Sequence, residues 1–174
     1  MNTLVIDIEC TTFQKGNPYS KCNKLVAIGY KYNDNATVTL YRDFERITEY
    51  LNQADLIVGF NLKFDLAWLT REGLYEPTRS THRIWDCQLV DFILERQTTP
   101  YPSLDSCCIK YDLGSKHDNI SKDYWDCGID TDAIPQEVLD PYLVQDIELT
   151  YKLYQHQTTL VTDSMKTLVS LANQ

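Results

Sequence analysis

Thr3-Leu4-Val5-Ile6-Asp7-Ile8-Glu9 opens the chain with an apolar run that ends in two acids. Such a run, Thr3 to Ile6, reads as a β-strand buried on both faces. Residues i and i+2 of a strand point the same way, so the Asp7 and Glu9 carboxylates face one site. Two acids at the end of a buried strand are costly unless cations or hydrogen bonds compensate them. The rest of the chain therefore has to supply the fold around this strand and a reason for its acids.

Working outward, Leu25 to Tyr32 and Thr37 to Tyr41 read as two further strands, joined by the turn Asn33-Asp34-Asn35. Phe44, Ile47 and Leu51 recur at helical spacing. Leu56-Ile57-Val58-Gly59-Phe60 is another buried strand, followed by a helix to about Leu69–Glu72 with Asn61 as its N-cap and Gly73 as its stop. A short strand ends at Trp85, after which Asp86 caps a helix through Leu94. Ser103 caps another through Tyr111, closed by Gly114. Residues 115–134 read as irregular. The last segment starts at Pro135, and Asp140-Pro141 reads as a fresh cap and first helical position, which splits it there. From Tyr142 to about Gln155 the pattern is helical, and Thr158 to Gln174 forms a further helical stretch with no evident packing partner. Strands first, then strands alternating with helices, predict a single mixed α/β domain with helices against a sheet.

The 174 residues suffice to bury a sizeable core. There is no apolar run long enough for a membrane span and no signal peptide, so a cytoplasmic location is expected. The six cysteines show no C-x-x-C pair and read as reduced thiols, and paired zinc ligands are not evident. A net charge of −9 at first argues against a nucleic-acid partner. Two explanations of it stand: a solvated acidic surface, or carboxylates clustered to hold divalent cations that would themselves meet phosphate.

Short acidic patterns recur by chance here, for example Asp43/Glu45 and Tyr30/Asp34, so context has to separate them. Asp7/Glu9 is the Asp-x-Glu pair that closes a buried strand. Asn61 and Asp65 are four apart at the start of a helix and share a face, as are Tyr142 and Asp146, which sets a phenol beside a carboxylate. Convergence of Asp7, Glu9, Asp65 and Asp146 would suit two-metal phosphodiester hydrolysis, with the ions about 3.5–4 Å apart and bridged by Asp7. All-oxygen ligands select Mg²⁺ or Mn²⁺ over zinc. Tyr142, a neutral phenol, would orient the attacking water.

Asp7-Ile8-Glu9, Phe60-Asn61-Leu62-Lys63-Phe64-Asp65 and Tyr142-Leu143-Val144-Gln145-Asp146 resemble the three exonuclease motifs of the DEDD superfamily. A Tyr four residues before the last Asp resembles its tyrosine subclass; the histidine subclass would need His at position 141, which is Pro. The run from Gln145 to Tyr151 is similar to the proofreading exonuclease domain of DNA polymerase I-type enzymes, phage ones especially. The resemblance implies a ribonuclease-H-like fold with a five-stranded mixed sheet flanked by helices, and two divalent metal ions held by Asp7, Glu9, Asp65 and Asp146. It also implies single-stranded DNA 3′ ends as substrate.

It divides the chain into an exonuclease domain, residues 1–156, and a helical tail, residues 157–174, where polymerase I-type enzymes pass into their polymerase portion. The chain is then either an excised domain or a separately encoded exonuclease that docks on a polymerase, which would deliver the strand to an acidic enzyme. Cys10 stands where the family usually has Thr, a position that tends to touch the terminal nucleotide through its backbone. Asn61 is expected as a helix cap, as a contact to the terminal sugar or phosphate, or as both. Phe13 is expected either to stack on or wedge between the last bases or to anchor its loop. Asp86 matches an acidic position near the family's site, with capping as its first role. Lys116 and Lys122, near Tyr124 and Trp125, read either as contacts to the nucleic-acid backbone or as solvated loop charges. An RNA 3′ exonuclease similar to ribonuclease D, and a non-catalytic scaffold of the same fold, are the alternative functions.

Overall fold

The computed structural model describes residues 1–78, 82–116 and 120–173. In chain order the elements are β1 (Thr3–Cys10), β2 (Leu25–Tyr32), β3 (Val38–Leu40), α1 (Arg46–Gln53), β4 (Leu56–Gly59) and α2 (Leu62–Arg71). They continue with β5 (Arg83–Asp86), α3 (Cys87–Leu94), α4 (Leu104–Lys110), α5 (Ile120–Asp123), α6 (Gln136–Leu160) and α7 (Asp163–Ala172). The sheet has five strands in the order β3-β2-β1-β4-β5. β1 pairs antiparallel with β2 and parallel with β4, and β5 runs parallel to β4, so the sheet is mixed as the sequence predicts.

Alternation along the central strand sorts the two layers. Leu4, Ile6 and Ile8 pack with Ile47 and Leu51 of α1 and with Leu62, Trp68 and Leu69 of α2. Val5 packs on the opposite face with Cys107 and Cys108 of α4 and with Ile147, Leu149 and Leu153 of α6. Asp7 and Glu9 share the parity of Val5, so the sequence period alone sends both acids toward α6.

α6 differs from its expected division. It runs unbroken for 25 residues with Pro141 inside it. Pro141 removes one backbone donor, and the Asp140 carboxylate accepts the Thr39 hydroxyl of β3 instead of capping a new helix. Packing of Leu139, Leu143, Ile147 and Leu153, all 0–1% exposed, holds the helix across that gap.

The stretch expected to be irregular holds α5 and two single 3₁₀ turns, Trp125–Cys127 and Thr131–Ala133, among its described residues. The C-terminal stretch has a partner within the fold: Val169 of α7 packs with Val90 and Ile93 of α3. Asn173 accepts the Asp86 N–H at 2.6 Å. A boundary after residue 156 falls inside α6. No helix among the described residues is long and apolar enough to cross a membrane.

Candidate active site

Three elements deliver the acids. β4 pairs with β1 only from Thr3 to Val5; further along, the Ile8 N–H donates to Asp65 Oδ1 at 3.1 Å. That bond brings the first turn of α2 against the β1 acids.

α6 arrives from the other face, and Gly29 sets how close it comes. Gly29 stands opposite Asp7 in the β1–β2 register. A Cβ there would lie 2.7 Å from Leu143 Cγ and 3.2 Å from Ile147 Cγ1. The absent side chain lets α6 press on the sheet between Leu143 and Ile147, which seats Tyr142 and Asp146 over the β1 acids.

Glu9, Asp65 and Asp146 are 9%, 2% and 6% exposed. Burial pushes the Asp7 carboxyl up to about 7, and the neighbouring Asp146 carboxylate pushes the same way; the Lys116 ammonium and the Ile8 N–H oppose them. Burial, then the charge of Asp7, holds Asp65 well above the usual carboxylate range. Asp7 is thus within electrostatic reach of both Asp65 and Asp146. Glu9 raises the proton affinity of Cys10.

Lys116 enters this cluster from the loop after α4. Its backbone N–H is held by Asp105 Oδ1 at 2.8 Å, and its ammonium lies 2.5 Å from Asp146 Oδ2. The same ammonium is 3.4 Å from the Tyr142 hydroxyl and 4.9 Å from the Tyr142 ring centroid. Trp125 packs edge-on against that ring at 5.9 Å. Lys116 is therefore held at Asp146 and is not a solvated loop charge. Nothing local marks it, because its partner is 30 residues away. Lys122 is exposed at the surface of α5.

Asn61 adopts a left-handed conformation, φ 58° and ψ 41°, and its side chain makes no capping bond. Asp86 takes the cap instead. Its carboxylate accepts the Asn61 N–H at 3.0 Å and the Leu62 N–H at 2.9 Å, and also caps α3 through Gln88 N–H at 3.0 Å. Ser103 caps α4 as expected, accepting from Ser106 N–H at 3.1 Å.

The Cys10 thiol is 9% exposed, turned toward the Gly16 carbonyl at 3.8 Å, and pushed up to about 12 by burial. A register shift between Glu9 and Cys10 breaks the β1–β2 ladder beside the site, where such irregularities re-aim side chains. Phe13 is 52% exposed on the loop that follows.

No three His, Cys, Asp or Glu side chains among the described residues are assembled to hold a metal ion. The donor chemistry nevertheless suits a hard divalent cation: all-oxygen, buried, and carrying mutually repelling carboxylates. Lys116 supplies the positive charge in the arrangement seen.

No protein-family model and no curated relative match the sequence. Among solved structures, the fold matches a family B DNA polymerase from the archaeon Pyrobaculum calidifontis, with a TM-score of 0.70 and 17% identity, over 100% of this chain but 27% of that one. It matches NrnC of Brucella melitensis with bound Mg²⁺ at a TM-score of 0.68 and 13% identity, over 97% of this chain and 78% of that one. It also matches the catalytic core of RRP6 from Trypanosoma brucei at 0.64 and 17% identity, over 98% and 44% of the two chains. At these identities the likeness is one of architecture: the chain has the ribonuclease-H-like exonuclease fold that it shares with these polymerase and nuclease structures.

Proposed function

We propose that the protein is a 3′–5′ exonuclease that removes nucleotides from DNA 3′ ends with the help of two divalent ions, Mg²⁺ or Mn²⁺. The observation that carries this reading is that Asp65 and Asp146, both buried, reach Asp7 from two further elements, with Tyr142 one turn before Asp146 on α6.

Asp7, Glu9, Asp65 and Asp146 would hold the ions. When bound, such ions activate a water toward phosphorus and stabilise the leaving 3′ oxygen. The chain's own contribution is positional. The Ile8 N–H fixes Asp65, and α6 fixes Asp146 and Tyr142 on one face. The Tyr142 hydroxyl then orients the nucleophile as a neutral hydrogen-bonding group. Asn61 at the head of α2, the backbone at Cys10 and the exposed Phe13 ring are the contacts proposed for the terminal nucleotide. Delivery of the strand by a polymerase module accords with the net charge of −9, which weakens unaided binding.

Digestion of 5′-labelled single-stranded DNA with Mg²⁺ or Mn²⁺ tests this. A ladder shortening from the 3′ end, abolished by EDTA and in Asp7→Ala and Asp146→Ala, is expected. A folded wild type that binds Mn²⁺ by calorimetry but cleaves neither DNA nor RNA would sink the reading.

An RNA 3′ exonuclease is the second reading. The fold is shared with NrnC bound to pGG, at a TM-score of 0.67 and 16% identity, a short ligand that leaves the choice of nucleic acid open. Matched DNA and RNA oligonucleotides separate the two. A non-catalytic scaffold would bind no Mn²⁺.

A further inference from the structure

We propose that the loop between β1 and β2, residues 11–24, is a landing platform for the single-stranded nucleic acid upstream of the reacting 3′ end, with Tyr19, Lys15 and Lys21 as its contact residues. This rests on the exonuclease reading above and names where the rest of the substrate lies.

Charge singles the loop out. The chain holds 25 Asp and Glu among 174 residues, which would put about two in any fourteen. Residues 11–24 contain none, and carry Lys15, Lys21 and Lys24. Lys24 pairs with Asp132 at 3.3 Å. Lys15 and Lys21 are exposed and form no ion pair among the described residues. Asp130 and Asp132 meet the base of the loop at Thr12 and Lys24, which leaves Lys15 and Lys21 as the cations a phosphate backbone would seek.

The loop also presents an aromatic ring to solvent. Tyr19 is 84% exposed. A large ring left in water on a rigid support is a ready stacking surface, because every base offers a π-face.

The support is rigid by construction. Asn17 Oδ1 accepts the Tyr19 N–H at 2.9 Å and Asn17 O accepts the Ser20 N–H at 3.1 Å, closing a turn around buried Pro18. Asn23, 1% exposed, donates from Nδ2 to Phe13 O at 2.7 Å and to Asn17 O at 2.9 Å. Its own carbonyl accepts from Arg71 at 2.9 Å. Gln14, Lys15 and Gly16 follow one another in the left-handed region, φ 49°, 59° and 71°, and Trp68 Nε1 donates to Gly16 O at 3.0 Å to hold that turn. A backbone already fixed in this way leaves only the side-chain rotation of Tyr19 to be lost on binding.

Position joins the platform to the site. The loop leaves β1 directly after Glu9 and Cys10. A Cβ at Gly16 would lie 2.7 Å from Cys10 Sγ and 3.1 Å from Phe64 Cζ, the neighbours of Glu9 and Asp65. A strand whose 3′ end reaches the carboxylates would leave over this cationic, aromatic edge.

The test measures binding by fluorescence anisotropy in Ca²⁺, with labelled thymidylate and uridylate oligomers of two and of eight nucleotides. Wild type is expected to bind the octamers more tightly than the dimers. Tyr19→Ala should weaken octamer binding about fivefold or more, the effect of losing one stacked base, and erase most of the length preference. Lys15→Gln with Lys21→Gln should lower the salt slope of octamer binding by about 1.4, roughly 0.7 per lost phosphate contact on a single strand. Equal loss on DNA and RNA, or loss on one alone, supports the platform and identifies the strand it takes. Octamer binding unchanged in both variants, or no length preference in wild type, overturns it. Wild-type hydrolysis of the p-nitrophenyl ester of thymidine 5′-phosphate, which has no upstream nucleotides, reads the reacting centre separately. Tyr19-dependent binding without ester hydrolysis would leave the platform standing and remove the exonuclease reading.

Discussion

The Lys116 ammonium lies 2.5 Å from Asp146 Oδ2, with the two side chains 17% and 8% exposed, inside the cluster that also contains Asp7. A single cation from a loop thereby offsets the repulsion between the Asp7 and Asp146 carboxylates.

Lys116→Met keeps the bulk and removes the charge. In EDTA it should lower stability by about 1–3 kcal/mol, the range for leaving a buried polar group without its partner. Mn²⁺ binding should tighten by roughly tenfold, since at 4 Å a unit charge in a partly screened site interacts by a few kcal/mol with its partner. Chemical denaturation and calorimetric titration read the two effects. Unchanged Mn²⁺ affinity would show that the ammonium does not compete for Asp146.

Asp7 has its proton affinity raised by folding, from 3.8 to about 7, first by burial and then by Asp146. The folded state therefore binds the proton more tightly than the unfolded chain does. The stability this group contributes is complete below about 3.8 and is lost as the pH rises through about 7. In EDTA, Asp7→Asn should raise the melting temperature at pH 8 relative to wild type, with the difference shrinking toward pH 4. Thermal unfolding across that range checks the sign.

Tyr142→Phe deletes one hydroxyl from a ring that Trp125 holds in place. It should fold normally, bind Mn²⁺ like wild type, and lose about tenfold to hundredfold in kcat, at the lower end of what a positioned proton-handling group contributes. A wild-type rate would reduce Tyr142 to a packing aromatic.

Gly29→Ala would set a methyl 2.7 Å from Leu143 Cγ, where α6 meets the sheet opposite Asp7. Overpacking of this kind costs about 1–3 kcal/mol. Because Leu143 neighbours Tyr142, kcat should fall as well, whereas overpacking remote from the site would move stability alone.

Asp86→Ala removes the acceptor for backbone donors at the heads of both α2 and α3. Two lost caps at roughly 1 kcal/mol each predict a loss of about 2 kcal/mol. Asn61→Ala should cost far less, since the Asn61 side chain makes no capping bond. The reverse order in a denaturation series would contradict this division of roles.

The residue pattern alone carries the elements whose signal is periodic or local. The apolar run into Asp7 and Glu9, the strand-then-helix unit around Asp65, the cap at Ser103 and the order of the acidic patterns are all visible in stretches of ten residues or fewer. From them follow the strands and helices of a mixed α/β domain and the shared direction of the β1 acids, because side-chain parity along a strand is fixed by its pleat. Whatever depends on two remote surfaces meeting is visible in the assembled fold and not before. Asp86 lies 25 residues from Asn61, yet it takes over the cap that Asn61 was expected to provide. Pro141 was expected to begin a helix, but packing against the sheet carries α6 through it. Gly29 carries no local mark, and the sequence around Lys116 does not show its pairing with Asp146. Each acts across a contact whose partner is far along the chain, and such contacts depend on how the faces pack, which a sequence period does not encode.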